Sequence, residues 1–287
     1  MYRTDGSLAG TALVSGNVEP VSSVLSGTAV ALGSRYIFAA RSKASATNNV
    51  ELFASDGTLA GTVLVKEIRA GDGGSYPGNF QVADGIAYFA ATDDGFGHEL
   101  LWRTDGTAAG TYQLSGSYDP STLSVSGTRA YFRLHDDTHG REPWVSEGTL
   151  ATTRMLKDIS PGPNSSMGNE LIGAFGDGVM FIADDGTGSA LWISDGTEAN
   201  TIKIGASPGR SSGYLPGDNL PASSGGKMYF VGSDSAHGSE PWVTDGTPSG
   251  TRLLRDIYPV LSGNSGMSRG VGALPDGRFL FVGNDGV

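Results

Sequence analysis

Trp102-Arg103-Thr104-Asp105-Gly106-Thr107 is one copy of a phrase that the chain writes six times. The others are Tyr2-Arg3-Thr4-Asp5-Gly6-Ser7, Phe53-Ala54-Ser55-Asp56-Gly57-Thr58, Trp144-Val145-Ser146-Glu147-Gly148-Thr149, Trp192-Ile193-Ser194-Asp195-Gly196-Thr197 and Trp242-Val243-Thr244-Asp245-Gly246-Thr247. A Thr follows each copy: Thr11, Thr62, Thr111, Thr153, Thr201 and Thr251. The acidic residues lie 51, 49, 42, 48 and 50 residues apart. A period of this size marks a solenoid or a propeller. The 42 residues beyond Asp245 and the five from Met1 to Asp5 make 47, one more period. A linear array has no reason to obey that sum and needs distinct capping repeats. A closed ring, cut inside one unit, obeys it.

Composition narrows the class. The 287 residues could hold two average domains, but the unbroken repeat argues for one. The 45 glycines and 13 prolines suit many tight turns, and 9% aromatic residues exclude a disordered linker. A formal net charge of −11 argues against nucleic acid and anionic membranes as partners and leaves carboxylates for cations. No apolar run approaches the roughly 18 residues that span a bilayer, so no membrane insertion is expected. The absence of cysteine excludes disulfides, thiolate metal sites and cysteine nucleophiles. The start, Met1-Tyr2-Arg3-Thr4-Asp5, reads as the middle of a strand rather than a signal peptide, and suggests a piece of a longer chain.

Each unit reads as four short strands split by Gly, Asp-Gly and Pro-Gly turns. Around residues 122–159 these are Thr122–Ser126, Arg129–Leu134, Glu142–Ser146 and Thr153–Ile159. In the second unit they are Phe80–Ala83, Ala87–Ala91, Glu99–Thr104 and Thr111–Leu114; in the fifth, Leu220–Ser224, Met228–Gly232, Glu240–Thr244 and Thr251–Ile257. Long links are expected at Arg69–Gly78, Ser160–Asn169, Ser207–Asn219 and Tyr258–Gly270. The expectation is an all-β, six-bladed β-propeller with four antiparallel strands per blade. Residues 1–287 would form one domain, with blades near 17–68, 69–116, 117–159, 160–206 and 207–257, and a last blade shared by 258–287 and 1–16. Pairing of the chain ends would close the ring and cover an open edge.

With these residues in view, the chain resembles the bacterial ELWxxDGT repeat family. The best matches are Glu99–Thr107, Glu142–Thr149, Ala190–Thr197 and Glu240–Thr247. The continuation appears as Gly61–Ile68 and Gly250–Ile257. The resemblance spans the whole chain. It implies a secreted or cell-surface bacterial protein and assigns no single activity. There are departures: Ala190 stands for Glu, Glu147 for Asp, Ser42–Thr47 replaces an acidic loop, and Leu100-Leu101 adds a residue.

The Asp-Gly-Thr turn is read as a hairpin lock, with Asp and hydroxyl groups bonding the backbone and Gly supplying positive φ. It is similar to the Asp-box turn of sialidase-type propellers. The preceding aromatic is read as packing between neighbouring blades. The functional candidates are acidic loops: Asp93, Asp94 and Glu99; Asp136, Asp137, His139 and Glu142; and Asp234, His237 and Glu240. Asp184-Asp185 and Asn284-Asp285 are weaker copies. Ligand binding is placed on Asp93, Asp94, Asp136, Asp137, His139, Asp234 and His237. The same loops could wrap calcium through Asp93, Asp94, Glu99, Asp136, Asp137, Glu142, Asp234 and Glu240, since that ion takes six to eight oxygens. No other cofactor is expected, and no catalytic residue is assigned. The four histidines show no metal-ligand spacing, and no nucleophile elbow, P-loop or dinucleotide fingerprint is present. The function expected is a non-catalytic binding or scaffold propeller, with a glycan or another surface protein as partner. The alternative is a propeller hydrolase or lyase acting on polysaccharide through loop carboxylates.

Overall fold

The computed structural model describes residues 1–16, 18–20, 29–43, 49–94, 98–168, 172–206, 222–234, 236–259, 267–274 and 278–285. Among them the fold is all-β, with a single 3-10 turn at Leu150–Thr152 and antiparallel pairing throughout. The chain divides into two compact units, Met1–Asp137 with Trp144–Met155, and Thr138–Pro143 with Leu156–Val287.

β1 (Tyr2–Arg3) and β2 (Ala12–Leu13) form a two-stranded ribbon. The next sheet holds β3 (Val18–Pro20), β4 (Ala29–Leu32), β5 (Arg35–Ser42), β6 (Val50–Ser55) and β7 (Val63–Lys66), with β3 and β4 both paired to β5. A seven-stranded sheet follows in sequence order: β8 (Gly78–Ala83), β9 (Ile86–Ala91), β10 (Leu100–Thr104), β11 (Tyr112–Ser126), β12 (Arg129–Asp136), β13 (Gly140–Ser146) and β14 (Arg154–Met155). β15 (Ile172–Phe175), β16 (Gly178–Asp184), β17 (Ser189–Ser194) and β18 (Ile202–Ala206) make one four-stranded sheet. β19 (Ala222–Ser224), β20 (Lys227–Asp234), β21 (Gly238–Thr244) and β22 (Arg252–Leu253) make another. β23 (Met267–Ala273) and β24 (Phe279–Gly283) form a second ribbon. The four-strand reading therefore holds for two sheets and is exceeded where β11 runs through from one repeat into the next. Of the expected links, Ser207–Asn219 lies outside the described residues, as does most of Tyr258–Gly270.

Each Asp-Gly-Thr phrase closes the hairpin between the third and fourth strands of its unit. Asp56 Oδ1 accepts the Thr58 backbone N–H (2.8 Å) and hydroxyl (2.7 Å), and the Thr58 hydroxyl oxygen accepts Gly61 N–H (2.9 Å). The Ser55 hydroxyl oxygen accepts Gly57 N–H (3.1 Å) and lies 2.8 Å from the Thr62 hydroxyl. The same bonds recur around Asp5, Asp105 and Asp245. The phrase glycines take φ between +83° and +92°, a region that favours glycine. A Cβ on Gly61 would strike the Asp56 carboxylate.

Two copies depart and show why the pattern is tight. At the Gly61 position the fifth copy has Asn200, whose amide donates to Asp195 Oδ2 (2.6 Å). The fourth copy has Glu147, which is too long for the Asx geometry and instead pairs with Arg129 Nε (2.8 Å). There Thr149 and Thr152 take over as a capping box on the 3-10 turn.

Strand lengths follow from proline. β14 and β22 have two residues, against four in β7 and five in β18. Their partners β13 and β21 carry Pro143 and Pro241 where β6 and β17 carry Leu52 and Leu191. A proline accepts but cannot donate in a ladder. Pro143 O accepts Leu156 N–H (2.8 Å) and Pro241 O accepts Leu254 N–H (2.9 Å), and regular pairing stops there. The fourth strands expected to reach Ile159 and Ile257 are accordingly shorter.

The aromatic residue before the lock is a packing element, as expected at the best-defined copies. Trp102 is 6% exposed and sits among Leu32, Ile37, Leu52, Phe80 and Phe89, so strands of two successive repeats meet on it. Lys66 lies over its ring and donates to Thr111 O (2.6 Å). Two periods later Lys157 donates to Thr201 O (3.2 Å). Tyr2, by contrast, is 72% exposed in the β1–β2 ribbon. Trp102→Ala is expected to cost about 3–5 kcal/mol of stability, the usual range for emptying a buried aromatic site. Urea unfolding of Trp102→Ala and Tyr2→Ala measures this, and an equal loss from both would refute the packing role.

Candidate functional site

The glutamate that opens the third strand has a repeated task. Glu142 is fully buried, and its carboxylate accepts Ile159 N–H (3.0 Å), Ser166 N–H (3.1 Å) and the Ser166 hydroxyl (2.6 Å). Glu51 does the same with Ile68 N–H (2.7 Å), Ser75 N–H (3.1 Å) and the Ser75 hydroxyl (2.6 Å). Glu240 accepts Ile257 N–H (3.0 Å). Each clamp ties the link after the fourth strand back onto the third strand. The isoleucine stands 17 residues after the glutamate in all three.

The expected ligand residues therefore separate. Glu142 and Glu240 turn inward to backbone donors rather than toward the acidic loops. Asp234 accepts Ala236 N–H, His237 N–H and His237 Nδ1 (2.7–2.9 Å), a closed local turn. The Asp234 hydrogen bond is the main cause that raises the His237 imidazole above its ordinary range. Asp185 accepts the Thr187 hydroxyl and N–H and Lys203 Nζ, the hydroxyl first among the causes that bring its carboxyl down to about 2. Asp93 is exposed, Asp94 Oδ1 is 3.4 Å from the Thr92 hydroxyl, and His139 is half-buried. Residues 95–97 and 235 of these loops lie outside the described residues. Among the described residues no three His, Asp or Glu side chains converge to hold a metal ion.

Glu99 stands outside the clamp series. Leu100, opposite Ala91, holds the position that Glu51 holds opposite Ala40, and the added residue of Leu100-Leu101 sets Glu99 one place earlier. This repeat also has no link to clamp, because β11 runs on as strand. The 42-residue spacing, the shortest in the chain, is the trace of that missing link. Glu99 keeps exposed surface, yet its carboxyl is raised above the ordinary range. Desolvation by the surrounding protein is the first cause and the Asp119 charge the second.

The continuous strand also builds what surrounds Glu99. β11 pairs with both β10 and β12, with register shifts on each side, and Tyr118 lies opposite Leu100 and His135. Its ring is flanked by His98 and His135, each with centroids 4.7 Å away. Its hydroxyl donates to Asp137 Oδ1 (2.7 Å). Asp119 adopts φ +55°, uncommon for a residue with a side chain, and donates its N–H to Glu99 O (2.9 Å). His135 Nδ1 is buried without a partner among the described residues. His98 and His135, from two of the expected acidic loops, thus approach each other through Tyr118. Sequence reading placed Glu99 and Asp137 in those loops and missed His98, Tyr118, Asp119 and His135. The short spacing and the added residue at Leu100-Leu101 were the available signals. This arrangement supplies one unclamped carboxylate, a second carboxylate on a phenol, and two imidazoles. It can accept and donate hydrogen bonds.

No family model matches the chain, and no curated protein matches it. Solved structures do. A puromycin hydrolase aligns with TM-score 0.47 and 16% identity, over 84% of this chain and 38% of its own. A puromycin-hydrolyzing peptidase from Mycobacterium tuberculosis aligns with TM-score 0.46 and 11% identity, over 88% and 41%. A putative TolB from Agrobacterium tumefaciens aligns with TM-score 0.40 and 16% identity, over 86% and 87%. This chain spans well under half the length of the two hydrolases. The likenesses concern the fold.

The expectation of a glycan- or surface-protein-binding scaffold is corrected at this point. The named neighbours are hydrolases and a TolB protein, and none is a glycan-binding scaffold. The equivalent, open carboxylate loops that the reading required are largely closed by protein donors.

Burial pushes the Glu142 carboxyl up to about 7, from an ordinary value of 4.5, against the hydrogen bonds of Ser166 and Ile159. A carboxyl raised on folding contributes stability that is complete below the unfolded value and is lost as pH rises through the folded value. Stability should therefore fall between pH 4.5 and about 7 on account of this group, and Glu142→Gln should flatten that decline. Urea unfolding across the pH series decides it; an unchanged slope in the variant would show that the decline lies elsewhere.

Proposed function

We propose that the chain is a blade-repeat domain of the ELWxxDGT kind, closed as a six-bladed propeller, with its ligand chemistry confined to the interrupted repeat at β11. Two ribbons support the closed form. β1–β2 carry the third- and fourth-strand signals of a unit, including the Thr4–Thr11 hydroxyl pair of the lock (2.8 Å). β23–β24 stand where the first and second strands of a unit would be. A lone two-stranded ribbon is marginal in water, and the two together make the four strands of a full unit.

The ligand we assign to the interrupted repeat is a protonated amine, such as a lysine side chain or peptide amino terminus. The carrying observation is Glu99, an exposed carboxylate set one residue ahead of the clamp position, which Leu100 occupies in this repeat. Partial desolvation and the Asp119 charge both disfavour its ionised form. A bound ammonium offsets both, because an opposite charge within reach favours the carboxylate. Asp119 and Asp137 add negative charge, and the net charge of −11 draws cations toward the chain.

Calorimetric titration with a trilysine peptide at pH 5, in two buffers of different ionisation enthalpy, tests the reading. Binding should release protons, since the ammonium lowers the Glu99 pKa. Glu99→Gln should abolish that release and weaken binding by about 1.5–3 kcal/mol, the worth of a hydrogen bond to a charged group. Asp93→Asn, outside the cluster, should change neither. Equal binding by wild type and Glu99→Gln, or no binding at all, would refute the assignment.

A further inference from the structure

We infer that the Asp84-Gly85 turn is a site of spontaneous aspartate isomerisation, and that the locked Asp-Gly turns of the repeat are held out of the same reaction. In this chemistry the glycine nitrogen attacks the preceding aspartate Cγ. The N–Cγ bond forms, the nitrogen gives up its proton, and the carboxyl oxygen leaves as water, closing a succinimide. Water then adds at either imide carbonyl. One opening restores aspartate. The other gives isoaspartate, with the main chain running through Cβ. No oxidant or cofactor enters, and the water lost is regained. The step needs a carboxyl free to swing onto the nitrogen, in its neutral form, and an amide that is not already engaged.

The lock denies these conditions. In the copies at Asp5, Asp56, Asp105 and Asp245 the carboxylate is held by the Ser or Thr two residues on. The attacking glycine N–H is donated to the preceding Ser or Thr hydroxyl (2.9–3.1 Å). Asp195-Gly196 is held in the same way. The hydroxyl bond is the leading cause that lowers the carboxyl pKa at Asp5, Asp56, Asp195 and Asp245, which depletes the reactive neutral form.

Asp84-Gly85 is built otherwise. It is the tip of the β8–β9 hairpin, where Ala83 pairs with Ile86 and both tip residues are exposed, with φ +47° and +73°. Among the described residues the Asp84 carboxylate accepts no hydrogen bond, and no described atom lies within 4 Å of the space over Gly85. Three other Asp-Gly pairs among the described residues are obstructed, while Asp94-Gly95, Asp276-Gly277 and Asp285-Gly286 include residues outside them. Gly178, after Asp177, is buried and paired with Phe175. The Arg69 guanidinium packs over Gly73, after Asp72. Asp185 is held by Thr187 and Lys203.

Ageing the folded protein at neutral pH, then mapping isoaspartate by peptide mass spectrometry, tests this. Isoaspartate should accumulate at Asp84 several-fold faster than at Asp56, Asp105, Asp195 or Asp245. In urea the rates should converge. Thr58→Val should raise the rate at Asp56 several-fold while Asp105 stays slow, which also reports that the variant is folded. Equal rates at Asp84 and the locked turns in the folded protein would overturn the inference. So would a difference that persists in urea, or a Thr58→Val protein whose Asp56 rate is unchanged.

Discussion

A carboxylate that accepts backbone N–H groups holds each repeat of this chain together. Where a strand ends, its next amides leave the ladder and need another acceptor, because an unpaired buried N–H is costly. Each unit meets that need with one or both of two carboxylates. A short carboxylate, Asp56 and its counterparts, gathers the hairpin turn. A longer one, Glu142 and its counterparts, reaches across to the link that leaves the unit. Much of the negative charge that suggests ion binding is therefore spent inside the fold. Side-chain length decides the division of labour. Aspartate fits the two-residue reach of the turn, while Glu147 in the same position swings away to Arg129 and leaves its turn to two threonines.

The same logic explains why one repeat differs. A clamp needs a link, and β11 replaces the link with continuous strand. The sheet grows to seven strands, the clamp position is taken by Leu100, and Tyr118 and Asp119 of the crossing stretch come in beside Glu99. Tyr118 then stands between His135 of β12 and His98, two residues before β10. Chemistry collects at the point where the repeat stops using its carboxylate for structure.

Proline exerts a quieter control. Pro143 and Pro241 accept one ladder bond and refuse the next, so the strands beside them end after two residues. The freed chain is then available to the glutamate clamp, whose isoleucine amides lie a few residues on. Leu52 allows β7 to run longer, yet the Glu51 clamp still forms. The clamp thus tolerates both strand lengths.

The period, the strand pattern and the lock were legible in the residues, because they are local. Asp, Gly and Thr at fixed offsets determine a turn wherever they occur, and alternation with Gly punctuation determines short strands. The packing role of Trp102 was legible for the same reason, since a large aromatic at a repeated strand position needs a neighbour to bury it. What tertiary structure decided were relations between residues far apart in the chain. Glu142 looks like an exposed loop carboxylate in sequence and is a buried clamp, because its partners stand 17 and 24 residues on. Glu99 looks like it and is not a clamp, because one added residue moves it off the clamp position, which Leu100 holds. His98, Tyr118 and His135 form a cluster only because the pairing of β11 with β10 and β12 brings them side by side. Spacing along the chain determined the units, and which carboxylates are left over for function was decided by the through-space reach of their neighbours.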